Sequence, residues 1–479
     1  MIKNDKYEVV IGLEIHAQLL TKSKLFCGDS TSFGADPNTH ISPVTLAHPG
    51  TLPRMNKKAI EFAIKLGLAL QCDIEQRNYF ARKNYFYPDL PKGYQVSQHT
   101  TPICKNGLVK IKVNDVARNI RLNRIHIEED AGKSLHDIDE AYTAIDLNRA
   151  GVPLLEIVSE PDLHSSDEAF AYITEMIIRW LDICDGNMEE GSMRCDANIS
   201  IRPKGEKQLG TRVEVKNLNS IRNVKKAIDL EVERLISIVE SGQAVVQETR
   251  SFDADHNTSF PLRNKEDADD YRYFPDPDLT PFNITDEFLQ EVRHSLPALP
   301  GELEIKYREV FQLPAYDVQV ICSERSLVNY FENLVKHTDH YKAAVNWLMG
   351  PIKSYLNDHG LELAEFPLPP EKISALILMV DQGKVSFSIA STRIFMALII
   401  APQKDPLQLA IALNLIQERD SNSVAAWIDD VIAKMPDKVK EYKNGKKGLI
   451  GLFAGEVKKL SNGKADMQVV NQLLADKLN

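Results

Sequence analysis

Acidic side chains recur within two short apolar segments, where a half-buried strand needs few of them. Residues 124–134 include Glu128 and Glu129, and residues 146–162 include Glu156. Carboxylates held close together repel one another and need a proton or a cation in order to coexist. A hard divalent metal such as Mg²⁺, which prefers oxygen ligands, would meet that need. A charged strand edge that faces water accounts for the same residues equally well.

A Glu-x-His pattern lies in the first predicted strand, between Tyr7 and Leu20. Apolar residues alternate along this strand, so that Glu14 and His16 fall together on its other face, about 7 Å apart. Two side chains at that spacing can bind one metal ion or a pair of ions. A histidine on a strand is more often an ordinary surface residue, so the metal site is a hypothesis.

A later strand places Arg194 and Asp196 on one face, with Cys195 and Ala197 on the other. Asp196 is therefore a further candidate metal ligand. Arg194 is a candidate for binding a phosphate group, because its guanidinium can donate two parallel hydrogen bonds. A polar strand face in water is the competing explanation for both residues.

The segment from Arg82 to Tyr94 interleaves basic and aromatic residues around two prolines. Proline is excluded from helix interiors and central strands, so the segment predicts an ordered loop. Arg82, Lys83 and Lys92 suit contact with phosphate or with a nucleotide. An aromatic loop that is merely packed on the core is the alternative.

The elements that would position these residues indicate an α+β fold. Up to about residue 295 the sequence alternates like antiparallel strands, interrupted by predicted helices at residues 56–70, 165–184 and 221–241. From about residue 296 the periodicity is helical, with glycine and proline as punctuation. We therefore predict a catalytic domain with an antiparallel sheet and helices over residues 1–295, an all-helical domain over 296–415, and a small helical tail domain over 416–479.

Composition narrows the class of protein. A chain of 479 residues is long enough for two or three domains, and its net charge of −11 argues against nonspecific coating of nucleic acid. The tail is an exception, with nine lysines and five acids from residue 436 onward, and a basic helical tail can contact RNA. A solvated helix face is the alternative for the tail.

The spacing of the cysteines and the length of the apolar segments indicate the cellular compartment in which the protein acts. Six cysteines lie far apart without paired spacing, which favours neither a disulfide framework nor a cysteine-rich zinc site and fits a reducing, cytoplasmic environment. The first residues run directly into a strand, so no signal peptide is expected. The apolar stretches are too short to span a bilayer.

Several nucleotide-binding motifs are missing. Gly132-Lys133-Ser134 resembles the end of a Walker A loop, but the glycine required five positions earlier is replaced by Ile127. No Rossmann fingerprint, nucleophile elbow or zinc-protease helix is present. The remaining constellation, clustered acids flanked by arginine and lysine, is typical of phosphoryl or nucleotidyl transfer, in which the protein mainly positions charge.

Seven motifs in order resemble those of GatB, the second of the three subunits of bacterial tRNA-dependent amidotransferases, and the likeness covers essentially the whole chain. The matching runs are residues 11–16, 82–89, 126–134, 146–162, 190–198, 216–220 and 269–275. The resemblance implies a cradle-shaped catalytic domain, a helical domain and a YqeY-like tail. It also implies a heterotrimer (GatCAB) with a glutaminase partner, GatA, and a small partner, GatC.

The resemblance implies a ligase activity. In this family GatB uses ATP and Mg²⁺ to phosphorylate the side-chain carboxylate of misacylated Glu-tRNA(Gln) or Asp-tRNA(Asn). Ammonia from the glutaminase partner then gives Gln-tRNA(Gln) or Asn-tRNA(Asn). A noncatalytic tRNA-binding scaffold is the alternative function, and a free-standing Mg²⁺-dependent ligase that turns over without tRNA is a third.

The resemblance also assigns roles residue by residue. The metal positions fall on Glu14, His16, Glu129, Glu156 and Asp196. Lys83 and Lys92 resemble positions near the ammonia channel and the phosphorylation site. Together with the patterns described above, this predicts Glu129, Lys83, Lys92 and Arg194 as catalytic residues and Arg82 and Lys133 as residues that bind the nucleotide.

Some members of the family hold a four-cysteine zinc site in the loop after the first strand. Here only Cys27 is present, and Asp29, Ser42 and Thr45 occupy the other expected positions. A single thiolate cannot hold a structural zinc ion, so no zinc is expected.

Overall fold

The computed structural model describes residues 6–136, 138–264, 271–417, 421–461 and 463–478. The chain divides into two compact units, Met1–Pro297 and Ala298–Asn479. The first unit combines strands with helices and the second is helical, so the predicted α+β class is confirmed. The finer division into domains at residues 295 and 415 stays a prediction.

All the described strands belong to the first unit. In chain order they are β1 (Tyr7–Gln18), β2 (Asp73–Ile74), β3 (Arg77–Asn78), β4 (Ala81–Asn84), β5 (Tyr94–Ser97), β6 (Cys104–Lys105), β7 (Leu108–Val113), β8 (Val116–Glu129), β9 (Lys133–Leu135), β10 (Ala144–Asp146), β11 (Pro153–Ser159), β12 (Met193–Pro203), β13 (Val213–Lys216), β14 (Glu248–Asp253), β15 (Thr258–Asn264), β16 (Phe274–Pro275) and β17 (Phe282–Asn283).

Ten of these strands form the main sheet, in the order β15-β14-β13-β12-β1-β11-β8-β6-β2, with β7 paired to β8. The pairs are antiparallel except β13 with β14. Strands β12, β1, β11 and β8 lie side by side in the middle of the sheet, and β1, β8 and β12 are the longest of the described strands. A smaller sheet has the order β16-β4-β5.

The described helices of the first unit are α1 (Lys57–Ala69), α2 (Ser166–Thr174), α3 (Ile221–Glu240) and α4 (Asp286–His294). Those of the second unit are α5 (Pro300–Ile305), α6 (Ala315–Ile321), α7 (Arg325–Leu334), α8 (Tyr341–Trp347), α9 (Lys353–His359), α10 (Pro370–Asp381), α11 (Phe387–Ile389), α12 (Phe395–Ile400), α13 (Pro406–Ala412), α14 (Ser421–Lys434), α15 (Pro436–Lys443), α16 (Ile450–Leu460) and α17 (Met467–Leu478).

The two faces of the main sheet differ in polarity, as the alternation in β1 predicts. Leu13, Ile15 and Ala17 are almost completely buried, whereas Glu14 and His16 are only half-buried. Helix α1 contacts β8 and β11, and α3 contacts β12. The helices therefore position the central strands, and the polar side chains of β1 occupy the other face.

Local capping explains where the first-unit helices begin. Asn56 accepts a hydrogen bond from the backbone N–H of Lys58, and its amide donates to the carbonyls of Ser23 and Lys24. Ser165 caps α2 in the same way, by accepting from the N–H of Glu168. Such caps satisfy backbone donors that have no partner within the helix.

The prediction of one helix over residues 165–184 was too long, because α2 ends at Thr174. Turns follow, in which Asp182 has a φ of 54°, a value outside the right-handed helical region. Ile178, Leu181 and Ile183 are nevertheless buried. Apolar spacing alone does not distinguish a helix from turns that bury the same residues.

The described residues of the second unit include three π-helical turns, at 306–310, 348–352 and 390–394. Pro351 lies inside the second of them, where it removes a backbone donor from the helical ladder. Residues 424–478 form a core of their own, and Val424, Phe453, Val470 and Leu474 are fully buried in it.

Candidate active site

Four polar residues face one another directly across the four central strands. His16 of β1 is paired with Arg194 of β12 on one side and with Glu156 of β11 on the other. Glu156 is in turn paired with His126 of β8. Because directly opposed residues point to the same face of a sheet, the four side chains form one line across it.

The two histidines and Glu156 of this line meet a second glutamate, Glu128, at close range. The Nε2 atom of His16 lies 3.4 Å from an oxygen of Glu128 and 3.4 Å from an oxygen of Glu156. The Nε2 atom of His126 lies 3.5 Å and 3.4 Å from oxygens of the same two glutamates. Glu14 completes the group, 3.7 Å from His16. We call these five residues the acid–histidine cluster.

Burial and mutual contact shift the pKa values of the cluster. Burial would lower the pKa of His16, but its contacts with Glu128 and Glu156 outweigh that effect and raise it to about 10. For His126, too, contacts with Glu156 and Glu128 outweigh the effect of burial and raise the pKa to about 9. Despite burial, the two histidines lower the pKa of Glu128 to about 2 and hold that of Glu156 well below its usual range. Burial and the charge of Glu156 raise the pKa of Glu14.

The donor atoms of the cluster suit a divalent cation. Glu14, His16 and Glu156 form one group whose ligand atoms all lie within 4.8 Å of one another, and His126, Glu128 and Glu156 form a second. Their carboxylate oxygens are the ligands that Mg²⁺ prefers, and the imidazole nitrogens widen the choice towards transition metals such as Mn²⁺. Glu156 belongs to both groups.

Two residues of the cluster were not assigned as metal ligands from the sequence: Glu128 was noted only as one of the clustered acids, and His126 was not singled out. Both lie near the end of β8, on the same side as each other, because they are two positions apart. The alternation of His126, Ile127 and Glu128 was a usable signal for a shared face. The pairing of β8 with β11 was not visible in the sequence, and it is this pairing that brings them to Glu156.

The structure does not bring Glu129 or Asp196 into either metal-ligating group. Glu129 is fully buried, and its carboxylate receives a 2.7 Å contact from the ammonium of Lys92 and a 2.7 Å hydrogen bond from the N–H of Val96. Neighbouring residues on a strand point to opposite faces, so Glu129 and Glu128 diverge. Asp196 pairs instead with the ammonium of Lys216.

Arg194 and Arg82 both have carboxylate partners. Arg194 lies 2.8 Å from Asp130, which also accepts a 2.7 Å hydrogen bond from Gln18. Arg82 contacts Asp276 at 3.1 Å and Asp278 at 2.7 Å. The predicted loop was wrong at its two ends, since Arg82 lies in β4 and Tyr94 in β5, and the prolines occupy the turn between these strands.

The remaining predicted residues lie in the smaller strands and in two cavities. Lys83, also in β4, has its ammonium 4.8 Å from the ring centroid of Tyr271. Lys133 is exposed in β9 and lines a cavity of about 870 Å³ together with Arg149 and Gln18. Lys92 and Arg82 line a second cavity of about 240 Å³. Asp269 and Asp270, which belong to one of the seven motifs, lie outside the described residues.

Hydrogen bonds connect the residues at the expected zinc position. The thiol of Cys27 lies 3.3 Å from a carboxylate oxygen of Asp29 and 3.4 Å from the hydroxyl of Thr45, and Thr45 donates to Asp29. Burial raises the pKa of the Cys27 thiol, which disfavours the thiolate that a metal needs. The absence of zinc stays a prediction.

Within the described part of the chain, no helix has the length and apolar composition needed to cross a membrane.

Two family models match the sequence. The model described as the GatB/GatE catalytic domain matches residues 9–290, and the model described as the GatB domain matches residues 329–478. The first match contains every residue of the acid–histidine cluster. The second contains most of the helical unit.

The chain is also similar along its whole length to proteins named as the B subunit of aspartyl/glutamyl-tRNA(Asn/Gln) amidotransferase. The protein from Alkalilimnicola ehrlichii is 49% identical over 478 residues, covering 99% of this chain and 100% of the relative. Those from Syntrophotalea carbinolica and Caldicellulosiruptor bescii are 47% and 46% identical, each covering 99% of both chains.

Proposed function

Because this chain belongs to the GatB family, whose members named above are amidotransferase subunits, we propose that its acid–histidine cluster is the centre at which aminoacyl-tRNA is phosphorylated. The chain is one subunit of a tRNA-dependent amidotransferase, a ligase of protein synthesis. The proposed reaction transfers the γ-phosphoryl group of ATP to the side-chain carboxylate of misacylated Glu-tRNA(Gln) or Asp-tRNA(Asn). Ammonia then displaces phosphate and leaves the amide.

One observation carries this proposal: three carboxylates and two imidazoles converge on one largely buried face of the central strands. Phosphoryl transfer needs little covalent chemistry from a protein and much positioning of charge. Glu14, Glu128 and Glu156, with His16 and His126, would hold Mg²⁺. When bound, the ion neutralises negative charge on the phosphates and on the acceptor carboxylate.

Basic residues near the cluster complete the proposed site. Arg194, directly across from His16, is positioned to bind a phosphoryl oxygen through donors not used by Asp130. Lys83 and the exposed Lys133 contribute positive charge for the nucleotide phosphates, and so does Arg82. The buried pair of Lys92 and Glu129 holds β5 against the end of β8, next to Glu128.

The proposal includes partners and a compartment. The relatives are named as one lettered part of a larger enzyme, and we infer that the other parts are a glutaminase, GatA, which supplies ammonia, and a small protein, GatC. Aminoacyl-tRNA is made and used in the cytoplasm, so the heterotrimer is proposed to act there. The alternative of a noncatalytic tRNA-binding scaffold is not favoured, because a scaffold has no need for five clustered titratable groups.

The test is release of ADP by the intact heterotrimer, with and without Glu-tRNA(Gln). For the wild type we expect ADP release that depends on the charged tRNA. Glu156→Gln, which keeps the size of the side chain and removes its charge, is expected to abolish it while tRNA binding persists. Glu160→Gln is the matched control, since Glu160 follows β11 and is bound by Asn123 outside the cluster.

Persistence of tRNA-dependent ADP release in Glu156→Gln would show that the cluster is structural. Glu129→Gln and Glu129→Ala, tested in the same assay, decide whether the buried pair with Lys92 is also needed. The glutamine variant keeps an acceptor for the N–H of Val96, so a loss confined to alanine indicates a structural role.

A further inference from the structure

A continuous line of aromatic rings lies beside the acid–histidine cluster. The ring centroids of Tyr87 and Tyr85 are 6.1 Å apart, those of Tyr85 and Tyr271 are 6.1 Å apart, and those of Tyr271 and Tyr273 are 6.0 Å apart; in each of these three pairs the rings meet edge to face. His99 then stacks on Tyr273, with centroids 4.0 Å apart and planes 6° from parallel. We call these five residues the aromatic row.

The row is accessible to solvent, unlike an ordinary aromatic core. Tyr87 is 62% exposed and His99 is also exposed, while Tyr85, Tyr271 and Tyr273 are half-buried. Fully buried rings in the protein, such as Phe80 and Phe331, have no comparable opening to water. Solvent-facing aromatic rings placed side by side are typical of surfaces that stack nucleobases.

The backbone places one end of the row at the cluster. Ser97, the last residue of β5, donates a 3.3 Å hydrogen bond to the carboxylate of Glu128, and His99 follows two residues later. The negative charges of the cluster act on a residue of the row: burial, together with the charges of Glu128 and Glu156, raises the pKa of Tyr273 to about 12. A ligand stacked on the row would therefore extend towards Glu128.

Positive charge accompanies the rings. The ammonium of Lys83 lies 4.8 Å from the ring centroid of Tyr271 and 5.8 Å from that of Tyr85. Among the described residues it has no carboxylate partner within ion-pair distance, in contrast to Arg82 on the same strand. An ammonium held over rings by cation–π attraction remains able to bind phosphate.

We propose that the aromatic row stacks an adenine ring, with Lys83 beside it to bind an attached phosphate. This inference rests on the proposed function, and both substrates of that function contain an adenosine at one end. ATP carries an adenine ring, and so does the last nucleotide of every aminoacyl-tRNA, to whose ribose the amino acid is esterified. Either adenine, stacked on the row, would lead the attached reacting group towards the acid–histidine cluster.

The experiment measures equilibrium binding to the intact heterotrimer, without turnover. The probes are ATP, uncharged tRNA, and the same tRNA lacking its 3′-terminal adenosine. Tyr273→Leu removes the ring that lies between Tyr271 and His99, and Tyr273→Phe keeps it. Tyr142→Leu is the matched control, because Tyr142 is an exposed tyrosine of the same unit outside the row.

Each source of adenine predicts its own pattern. If the row binds ATP, Tyr273→Leu weakens ATP binding roughly 5- to 100-fold, as expected for the loss of one stacked base, and leaves tRNA binding unchanged. If it binds the end of tRNA, removal of the terminal adenosine weakens binding to the wild type but not to Tyr273→Leu. In both cases Tyr273→Phe and Tyr142→Leu bind like the wild type.

The proposal is overturned if Tyr273→Leu, folded with an unchanged Tm, binds all three probes like the wild type. It is also overturned if Tyr273→Phe loses as much affinity as Tyr273→Leu, because the hydroxyl and not the ring would then matter. Neither result affects the loss of ADP release expected for Glu156→Gln, so failure of stacking is distinguishable from failure of the proposed function.

Discussion

His16 and His126 each lie between the carboxylates of Glu128 and Glu156, and this alternation balances charge in a site that is largely shielded from water. Both imidazoles are protonated at neutral pH, since their pKa values are raised to about 10 and about 9. A proton and a metal ion compete for the same nitrogen. The cluster thus has a metal-free form stabilised by protons.

The first prediction concerns this competition. Binding of Mg²⁺ or Mn²⁺ through the imidazoles should release protons, and affinity should rise with pH between about pH 7 and pH 9, because fewer protons then compete for the nitrogens. Calorimetry in buffers of different ionisation enthalpy counts the protons released. His16→Gln should release about one fewer. Equal proton counts for the two proteins would show that His16 is not a ligand.

The pair of Lys92 and Glu129 poses a different residue-scale problem. Both groups are buried, the side chain of Glu129 completely, and their oxygen and nitrogen atoms are 2.7 Å apart. Burial raises the pKa of Glu129, while Lys92 opposes that rise. Breaking a buried pair from one side is costly, since an uncompensated charge remains in a medium of low polarity.

The second prediction is that Lys92→Met lowers the free energy of unfolding by about 3–5 kcal/mol near neutral pH. Without Lys92 the pKa of Glu129 rises further above its unfolded value, so the folded state binds the extra proton. The loss should therefore shrink as the pH falls towards about 5. Denaturant unfolding at several pH values measures this. Adding Glu129→Gln should restore most of the stability at neutral pH, and a loss independent of pH would contradict the account.

At the scale of elements, the turn after β8 is held by close backbone contacts. Gly132 donates a 2.9 Å hydrogen bond to the carbonyl of Asp89, and Arg149 donates to the carbonyls of Ala131 and Gly132. A Cβ atom at Gly132 would lie 2.9 Å from the carbonyl oxygen of Asp146 and 3.0 Å from that of Asp89. Backbone atoms on two sides leave no room for it.

The third prediction compares Gly132→Ala with Gly12→Ala. A Cβ atom at Gly12, on β1, would meet nothing closer than 3.9 Å. Gly132→Ala should lower the free energy of unfolding by about 1–3 kcal/mol, as overpacking does, and Gly12→Ala by much less. Thermal unfolding of the two variants under identical conditions makes the comparison. Equal losses of unfolding free energy in the two variants would show that the backbone around Gly132 can shift to accommodate the added methyl group.

The loop between β1 and α1 is a second element whose stability can be tested. Cys27, Asp29 and Thr45 are connected by hydrogen bonds, and Asn56 joins the end of the loop to Ser23 and Lys24. The fourth prediction is that the purified protein contains no stoichiometric zinc by elemental analysis and that a zinc chelator leaves its Tm unchanged. One zinc per chain, or a fall in Tm with the chelator, would contradict it.

At the scale of the whole molecule, the acidic chain carries a locally basic end. Several tail lysines are paired with acids: Lys438 and Lys446 with Glu441, and Lys459 with Glu456. Three others, Lys443, Lys458 and Lys464, have no acidic partner among the described residues. Unpaired lysines on a core of their own are suited to contact an RNA backbone.

The fifth prediction is that the triple variant Lys443→Glu, Lys458→Glu, Lys464→Glu weakens tRNA binding and flattens its dependence on salt, because fewer counterions are released. Binding at several salt concentrations measures both effects. Charge reversal of Lys6, Lys58 and Lys112 in the first unit is the control, matched in charge change, and is expected to alter binding much less. Equal effects of the two triples would indicate a general response to net charge.

Local patterns were enough for several elements. The capping residue Asn56 and the helix that follows it were predicted, and so was the shared face of Glu14 and His16. The length of α2 was overestimated, and Tyr94 was assigned to a loop although it begins β5. Helix ends and short edge strands depend on packing against distant segments, which periodicity does not contain.

The sequence by itself determined which residues share a face, since side-chain direction repeats every two residues along any strand. It also determined the change from sheet to helix near residue 296. Only the tertiary structure decided which faces meet. The register of β8 on β11 brings His126 and Glu128 to Glu156. Contacts with other strands pair Glu129 with Lys92 and Asp196 with Lys216. Pairing of distant strands depends on the whole core, so its partners are not encoded by local spacing.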